Sequence, residues 1–341
     1  MKHYVILPLR FRAAVHFGDA AQGGGLNEVE ILCRADTFYS ALCVEALKKS
    51  QEDFEQWIFK THEGHIVMSD LLPWYFRDGR YEWYIPKPVM DMKTESVQKR
   101  ETLKEARSLS AFRKQSKKRA FLRASDMMMY VDDLVYHSSS LEEEPVFGAY
   151  TSDTHFNGRT RTPYSVGGFS FYADEKKAER AGLYLILGLE DMSDLEKIIS
   201  LICWTGLSGI GGRRSAGMGQ FALDHPPILL KKGDWDDNDD AALFDMLKDE
   251  TSDTQMVLAS FLPSSEEAAI AAKGCGLWLK RSGFTRSEGM ESPMKEKSVY
   301  MMTSGSTFPV RLKGRIADVA TPAVGHPVYR YGKGFFLGVP K

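Results

Sequence analysis

The chain has 341 residues, of which 43% are hydrophobic and 26% are charged, and its formal net charge at pH 7 is −2. This length and composition predict a globular protein of two domains, and the near-zero net charge excludes a strong overall field that would attract a partner. No apolar run approaches the length of a membrane span, and the first one stops at Leu9, too early for a signal peptide.

The cysteine pattern predicts neither zinc sites nor disulfide bonds. None of the four cysteines lies in a C-x-x-C pair, and their spacings fit no zinc motif. We therefore expect buried free thiols, no metal, and a reducing, cytoplasmic compartment. The four residues are Cys33, Cys43, Cys203 and Cys275.

The N-terminal region predicts a strand followed by a helix. Residues 3–12 (HYVILPLRFR) predict a strand with Arg10 and Arg12 on one face. After a loop that contains three consecutive glycines, residues 34–49 predict a helix with Asp36 as its N-cap. The apolar stripe of this helix consists of Phe38, Leu42, Val44 and Leu47.

A basic segment follows at residues 87–123. It carries 12 Lys or Arg and 4 Asp or Glu, a net charge of +8 that leaves −10 for the rest of the chain. Lys and Arg that bind phosphates release counterions, so such a cluster favours nucleic acid as a partner. A solvated helical face is the alternative interpretation, but prolines at its start and scattered apolar residues argue against it.

The next elements complete a pattern that is typical of a ferredoxin-like unit. Residues 181–190 predict a buried strand, and residues 191–207 a helix that Ser193 can cap. A glycine-rich stretch and a short strand at residues 218–223 come next. This order of strands and helices matches a βαββαβ unit with long insertions.

The sequence thus predicts an α+β fold of two ferredoxin-like (RRM-like) βαββαβ domains, the first with a long basic insertion. The expected boundaries are 1–225 for the N-terminal domain, with an insertion at about 87–165, then an acidic connector at 226–253 with a short helix, and 254–341 for the C-terminal domain. Four segments near the C-terminus predict further strands.

Known catalytic motifs are missing from the sequence. Histidines that could act as general acid and base in a ribonuclease are His16 and His155, but nothing in the sequence pairs them. No Lys precedes Ser215 as a Walker A loop requires, and the order helix, glycine loop, strand is the reverse of a dinucleotide site. Metal-ligand spacings are also absent, and we expect neither a metal nor a cofactor.

The glycine-rich stretch, residues 206–221, contains six glycines around Arg213 and Arg214. Glycines allow close approach of the backbone to a phosphate, and arginine adds a forked donor that fits phosphate oxygens. A tight turn explains some of the glycines but not the two arginines. We therefore expect both arginines to lack partners within the chain and to bind a sugar-phosphate backbone.

Several motifs in one order resemble the RAMP superfamily, and in particular the fourth subunit of the type III-A CRISPR effector, the Csm complex. The motifs are LRFRAAVHFGD, RADTFYSALC, IPKPV before the basic insertion, and SGIGGRRSAGMGQF. The resemblance implies a non-catalytic subunit that holds the 5′ repeat-derived tag of the crRNA. It also implies contacts with the large cyclase/polymerase-like subunit and with the backbone RAMP subunit, and no membrane partner.

The resemblance also implies the RNA-binding residues. The loop after the first strand, the first helix and the PKP motif match the family, whereas the stretch FNGRTRTP departs from it because Gly158 separates Asn157 from the arginine. The implied residues are His16, Phe17, Gly18, Asp36, Thr37, Ser40, Lys87, Arg159, Arg161, Gly209, Gly211, Gly212, Arg213, Arg214, Ser215, Gly217 and Gly219. Two alternatives stay open: a repeat-processing RAMP endoribonuclease, and a purely structural assembly subunit.

Overall fold

The computed structural model describes residues 2–18, 25–90, 114, 117–136, 140–156, 160, 162–172, 178–232, 238–285 and 292–340. Most of the basic segment, namely residues 91–113 with 115 and 116, lies outside the described residues. The statements below concern the described part of the chain.

The helices are α1 Ala35–Lys49, α2 Gln51–Glu63, α3 Met127–Tyr136, α4 Leu195–Ser208, α5 Asn238–Lys248 and α6 Ala268–Ala271. Three short 3₁₀ turns span Ala124–Asp126, Met192–Asp194 and Arg214–Ala216. Strands as far as α5 are β1 His3–Phe11, β2 Phe17–Gly18, β3 Val29–Glu30, β4 Ile66–Met68, β5 Leu72–Arg77, β6 Arg80–Pro86, β7 Phe121–Arg123, β8 Gly148–Phe156, β9 Pro163–Phe171, β10 Arg180–Leu189, β11 Phe221–Leu223 and β12 Ile228–Leu230.

The remaining strands are short. They are β13 Gln255–Val257, β14 Trp278–Arg281, β15 Phe284–Thr285, β16 Met294–Lys295, β17 Val299–Met302, β18 Thr307–Phe308, β19 Ala317–Asp318, β20 Tyr329–Arg330 and β21 Phe336–Gly338.

The largest sheet is antiparallel and has β1 and β10 at its centre. Its strand order is β11-β1-β10-β5-β6-β7, and β12 and β4 add to the ends of β1 and β10. Ile6 pairs with Ile186, and Leu9 pairs with Leu183 on one side and Leu223 on the other. Successive side chains of a strand point to opposite faces, and nine consecutive residues of β10 are buried. Both faces of the sheet are therefore covered, which explains why its central strands are continuous apolar runs.

The structure corrects two helix starts expected from the sequence. The N-cap of α1 is Arg34, and Asp36 lies in the first turn. A 3₁₀ turn precedes α4, and there the Asp191 carboxylate accepts a 2.8 Å hydrogen bond from the Ser193 N–H, so Ser193 is not the cap. In α1 the buried stripe includes Phe38 and Leu42 but not Val44 or Leu47, which are 45% and 51% exposed.

The segment expected to be an acidic connector contributes to the fold. Its strand β12 pairs with β1, and helix α5 buries Leu243 and Leu247 in the same core cluster as the central sheet. Beyond it, the described residues form the three-stranded sheet β18-β13-β21 and several two-stranded ribbons. The chain is thus a mixed α/β protein with antiparallel sheets, and a second ferredoxin-like unit is not confirmed. No helix in the described ranges is long and apolar enough to cross a membrane.

Candidate nucleic-acid interface

Three of the segments singled out in the sequence meet at one groove of about 580 Å³, which we call the glycine-loop groove. They are the loop after β1, the exposed flank of α1, and the glycine loop between α4 and β11. The chain's C-terminal half adds the turn between β14 and β15. The residues that line the groove are His16, Phe17, Gly18, Glu30, Leu32, Cys33, Arg34, Thr37, Ser40, Ala41, Val44, Gly211, Gly212, Arg214, Arg281, Ser282 and Gly283.

The glycine loop is fixed against the end of β1 by backbone hydrogen bonds. The Ile210 N–H donates to the Gly219 carbonyl at 3.0 Å, and the Gly219 N–H donates to the Ala14 carbonyl at 2.9 Å. Gly219 has φ +76°, and a Cβ there would lie 2.0 Å from the Ile210 carbonyl oxygen, so only glycine fits. Several amides of the loop are therefore used within the protein rather than offered to a ligand.

His16 lies beneath this loop and is only 8% exposed. Its ring Nδ1 is 2.8 Å from the Gly167 carbonyl oxygen, and because a carbonyl only accepts, Nδ1 is the donor. The His16 carbonyl accepts a 2.8 Å hydrogen bond from the Gly212 N–H. A Cβ on Gly212 would lie 2.5 Å from Cδ2 of the imidazole. The histidine thus supports the glycine loop by direct packing.

The two arginines of the loop differ, and the expectation that both lack partners is wrong for Arg213. This residue has the left-handed φ of +60°, and its Nη2 donates a 2.9 Å hydrogen bond to the Tyr164 hydroxyl. Its guanidinium also lies 5.4 Å from the centre of the Tyr164 ring. Arg214 is exposed, and its guanidinium makes no hydrogen bond or ion pair with any described residue. Together with Lys48 it also lines an adjoining shallow groove that includes Ser215.

Asp36 does not reach the groove, because it is fully buried and bound to two arginines. Arg281 donates to its two carboxylate oxygens at 2.8 and 3.0 Å, and Arg330 donates at 2.8 Å. Burial opposes ionisation of this carboxyl, but the two guanidinium groups outweigh burial and hold its pKa below the usual value. Any contribution of Asp36 to binding is therefore indirect.

Thr37 and Ser40 line the groove through the flank of α1. The Thr37 hydroxyl accepts a 2.8 Å hydrogen bond from Arg281, and the Ser40 hydroxyl donates to the Asp36 carbonyl at 2.9 Å. Lys87 is half-buried and does not line the groove. Burial lowers its pKa, and Glu144 partly offsets this effect. Arg159 and Arg161 lie outside the described residues.

The remaining sequence-predicted glycines belong to the loop without lining the groove. Gly209 ends α4, and Gly217 follows the 3₁₀ turn that contains Arg214. His155, half-buried, packs its ring against the Tyr164 ring, with centroids 5.7 Å apart. Among the described residues, no group of three His, Cys, Asp or Glu side chains could hold a metal ion.

Sequence reasoning missed some residues that line the groove. Arg34 begins the motif RADTFYSALC but was not among the predicted site residues; it binds Glu30, with 2.9 Å from Nε to the carboxylate. Arg281, Ser282 and Gly283 come from the C-terminal half, more than 200 positions away from the first helix in the chain. No local pattern could have placed this turn on the groove, since its position depends on how the two halves pack.

Comparison with known proteins finds relatives of one kind. Residues 250–339 match the family described as the CRISPR Csm4 C-terminal domain. The protein named "CRISPR system Cms protein Csm4" from Mycobacterium tuberculosis is 29% identical over 334 residues, which is 96% of this chain and 95% of the relative. Its namesake from Streptococcus thermophilus is 28% identical over 335 residues, 98% of each chain.

Two solved structures with a similar fold also contain a protein named Csm4. A crystal structure of the Csm3–Csm4 subcomplex in the type III-A CRISPR-Cas interference complex matches all of both chains, with a TM-score of 0.61 and 16% identity. A Csm1–Csm4 cassette in complex with cA4 matches all of this chain and 98% of the other, with a TM-score of 0.55 and 14% identity. From the near full-length sequence matches and the shared fold, we conclude that this chain is similar over almost its whole length to the Csm4 proteins of CRISPR systems.

Proposed function

We propose that this chain is the non-catalytic RNA-binding subunit of a type III-A CRISPR effector complex. In this role it holds the 5′ repeat-derived tag of the crRNA and bridges the large subunit Csm1 and the backbone subunit Csm3. Similar proteins occur in solved complexes with each of these two partners. We further propose that the complex acts in the cytoplasm.

One observation carries the RNA-binding part of the proposal. The loop after β1, the flank of α1 and the glycine loop form one groove, and the unpaired, exposed Arg214 lies on it. Single-stranded RNA is bound through phosphates, splayed bases and 2′-hydroxyl groups, so a groove with one free guanidinium and several hydroxyls suits it. Backbone hydrogen bonds fix the loop from which this guanidinium extends.

The domain organisation is part of the proposal. In the large sheet, β11, β1, β10 and β5 lie side by side in that order. Along the chain, α1 lies between β1 and β5, and α4 lies between β10 and β11. This strand order and the two intervening helices fit a βαββαβ unit. We keep the boundaries 1–225, 226–253 and 254–341, with the insertion at about 87–165, and a ferredoxin-like C-terminal domain, as predictions.

The test measures guide-RNA affinity of the reconstituted complex with Arg214→Ala. Loss of one charge-assisted contact to a phosphate should weaken binding about 10- to 100-fold at fixed salt. The slope of log K against log salt should also fall by about 0.7, the value for one phosphate of a single strand. Arg80→Ala is the matched control, because Arg80 is also exposed but is the first residue of β6 and does not line the groove.

Three outcomes would contradict the proposal. Unchanged affinity and unchanged protection of the tag in Arg214→Ala would remove the RNA-binding assignment. Discrete cleavage products from repeat RNA and purified protein without metal would favour the endoribonuclease alternative. A complex that assembles through this chain without RNA, and fails only when the basic insertion is deleted, would favour the structural alternative.

A further inference from the structure

We propose that the C-terminal half of the chain supplies part of the RNA site, through the turn Arg281, Ser282 and Gly283, which we call the C-terminal lip. Arg281 would donate a hydrogen bond to a neutral oxygen of the bound tag, on a base or on a ribose, rather than to a phosphate. This inference rests on the function proposed above and assigns the ligand chemistry of one end of the same groove.

The lip lies where the two-stranded pairs β14–β17 and β15–β16 meet the flank of α1. All three of its residues line the glycine-loop groove, and Ser282 is exposed. The Glu296 N–H donates to the Gly283 carbonyl at 2.9 Å, and the Thr285 hydroxyl donates to the Glu296 carboxylate at 3.0 Å. The lip is therefore held by Glu296, directly after β16, and does not depend on a ligand for its shape.

One edge of the Arg281 guanidinium is occupied within the protein. Its Nε and Nη2 bind the two oxygens of Asp36, and Nη2 also donates to the Thr37 hydroxyl. Its Nη1 makes no hydrogen bond with any described residue, although the side chain borders the groove and is 12% exposed. An arginine held along one edge presents its remaining N–H donors in a fixed direction. Such a fixed donor can recognise a ligand oxygen at a defined position.

The charges around Arg281 argue against a phosphate at this end. Asp36 also binds Arg330, and Arg330 in turn binds Glu296, so two carboxylates offset two guanidinium groups in one buried chain. Each guanidinium in it is about nine-tenths buried. A neutralised guanidinium is a directional donor with little net field, which suits a carbonyl or hydroxyl oxygen. The free charge for a phosphate is at Arg214, on the glycine loop.

The first test compares the reconstituted complex with Arg281→Lys and with Arg214→Ala. Lysine keeps a positive charge near Asp36 but lacks the Nη1 donor that faces the groove, so guide-RNA affinity should fall about 10-fold. The slope of log K against log salt should stay unchanged for Arg281→Lys, which conserves the positive charge and loses no phosphate contact, whereas it should fall for Arg214→Ala, which removes a charge. A reduced slope for Arg281→Lys would overturn the neutral-oxygen assignment.

The second test leaves the buried charges intact. The photocrosslinking amino acid p-benzoylphenylalanine replaces Ser282 and, as the control, Val310, which is 47% exposed in the same half but does not line the groove. Crosslinking to the tag from position 282 and not from 310 supports the inference. If the wild-type complex binds a guide RNA with a 2′-deoxy tag about 10-fold more weakly, the oxygen that Arg281 contacts is a ribose hydroxyl. If the affinity is unchanged, that oxygen belongs to a base.

Failure of this inference differs from failure of the proposed function. If Arg214→Ala weakens RNA binding while Arg281→Lys does not, and position 282 gives no crosslink, only the lip is excluded from the site. If neither arginine affects binding and no crosslink forms, the RNA-binding assignment of the whole groove is wrong.

Discussion

Gly219 lies where the glycine loop crosses the end of β1, and its surroundings leave no space for a side chain. Gly219→Ala would bring a Cβ to 2.0 Å from the Ile210 carbonyl and hold an L-residue at φ +76°. We expect a loss of stability of about 2–5 kcal/mol, from overpacking together with the left-handed backbone. Urea unfolding of the purified chain followed by fluorescence measures it.

Gly217→Ala is the matched control for this prediction. Gly217 has a similar φ of +84°, but nothing lies within 4 Å of the added Cβ. Only the cost of holding an L-residue in the left-handed conformation applies there, so the loss of stability should be about 1–2 kcal/mol. Equal losses for the two variants would show that the crowding at Gly219 is relieved by movement of the loop.

Arg213 is the loop residue whose backbone departs most from what its type prefers. It has φ +60° without being glycine, a conformation that costs of order 1 kcal/mol and persists only where contacts hold it. The hydrogen bond and ring contact to Tyr164 supply such contacts. Arg213 therefore connects the glycine loop to the β8–β9 hairpin, whereas its neighbour Arg214 is left to meet a ligand.

At the scale of elements, the start of α1 joins the two halves of the chain through two buried carboxylates. Asp36 binds Arg281 and Arg330, and Asp70 accepts hydrogen bonds from the Ala35 N–H at 2.7 Å and the Ser260 N–H at 2.8 Å. Burial raises the pKa of Asp70, although Arg34 partly offsets this, whereas the pKa of Asp36 is lowered. The two carboxyls therefore affect stability in opposite directions as pH changes.

Asp36→Asn should destabilise the chain by about 3–5 kcal/mol at pH 7, because it leaves two buried guanidinium groups without their carboxylate. The lowered pKa sets the sign of the pH dependence: the stabilisation by Asp36 is complete above its unfolded-state pKa, and it is lost as pH falls through the folded-state value. The difference in free energy of unfolding between Asp36→Asn and wild type should thus shrink toward pH 2–3, which urea unfolding across that range measures.

The control for this pH series is Asp245→Asn, on the exposed face of α5. Asp245 is exposed, and its substitution should change stability by no more than about 0.5 kcal/mol at any pH. A constant difference for Asp36→Asn between pH 7 and pH 2.5 would mean that the carboxylate charge does not stabilise the junction.

Several elements of the N-terminal part of the chain could be predicted because their signals are local, whereas α2 and the strands β4–β6, β8 and β9 were not predicted. The apolar runs of β1 and β10 and the glycine loop after α4 were found from spacing alone, and the three motifs do meet at one groove. The start of α1 was misplaced because the Asp36 carboxylate binds distant arginines instead of its own helix terminus. The exposed Val44 and Leu47 fit the periodicity of a buried stripe, and periodicity does not reveal which flank a neighbour covers.

The site was less predictable than the fold for a related reason. Its local parts, such as Arg214 and Ser40, lie in recognisable motifs, whereas Arg281 reaches the groove only through packing of the two halves. A short two-stranded ribbon such as β14–β17 has no sequence signal that indicates against which helix it packs. The exposed Cys203 likewise departs from the expected buried thiols, while Cys33 is buried.

At the scale of the molecule, the two halves share one hydrophobic core. The cluster that contains β1 and β10 also contains Met256, Leu258, Tyr331, Phe335 and Leu337, all at most 2% exposed. Across the same boundary the Met68 N–H donates to the Tyr331 hydroxyl at 2.9 Å, and the Asp70 N–H donates to the Leu258 carbonyl at 2.9 Å. Neither half can expose this surface without loss of apolar burial, so the halves should unfold together.

This shared core predicts a single heat-capacity peak for the purified chain in scanning calorimetry, and Leu337→Ala tests it. Leu337 is fully buried in the strand β21, and its truncation should cost about 2–5 kcal/mol. Because β21 contributes to the same core as β1, the whole peak should move to lower temperature, and the peak should stay single. If the halves unfolded independently, the wild-type trace would contain two peaks and the substitution would move only one of them. Val310→Ala, at an exposed position of the same half, should leave the peak within about 1–2 °C of wild type, which separates loss of core packing from a general effect of mutation there.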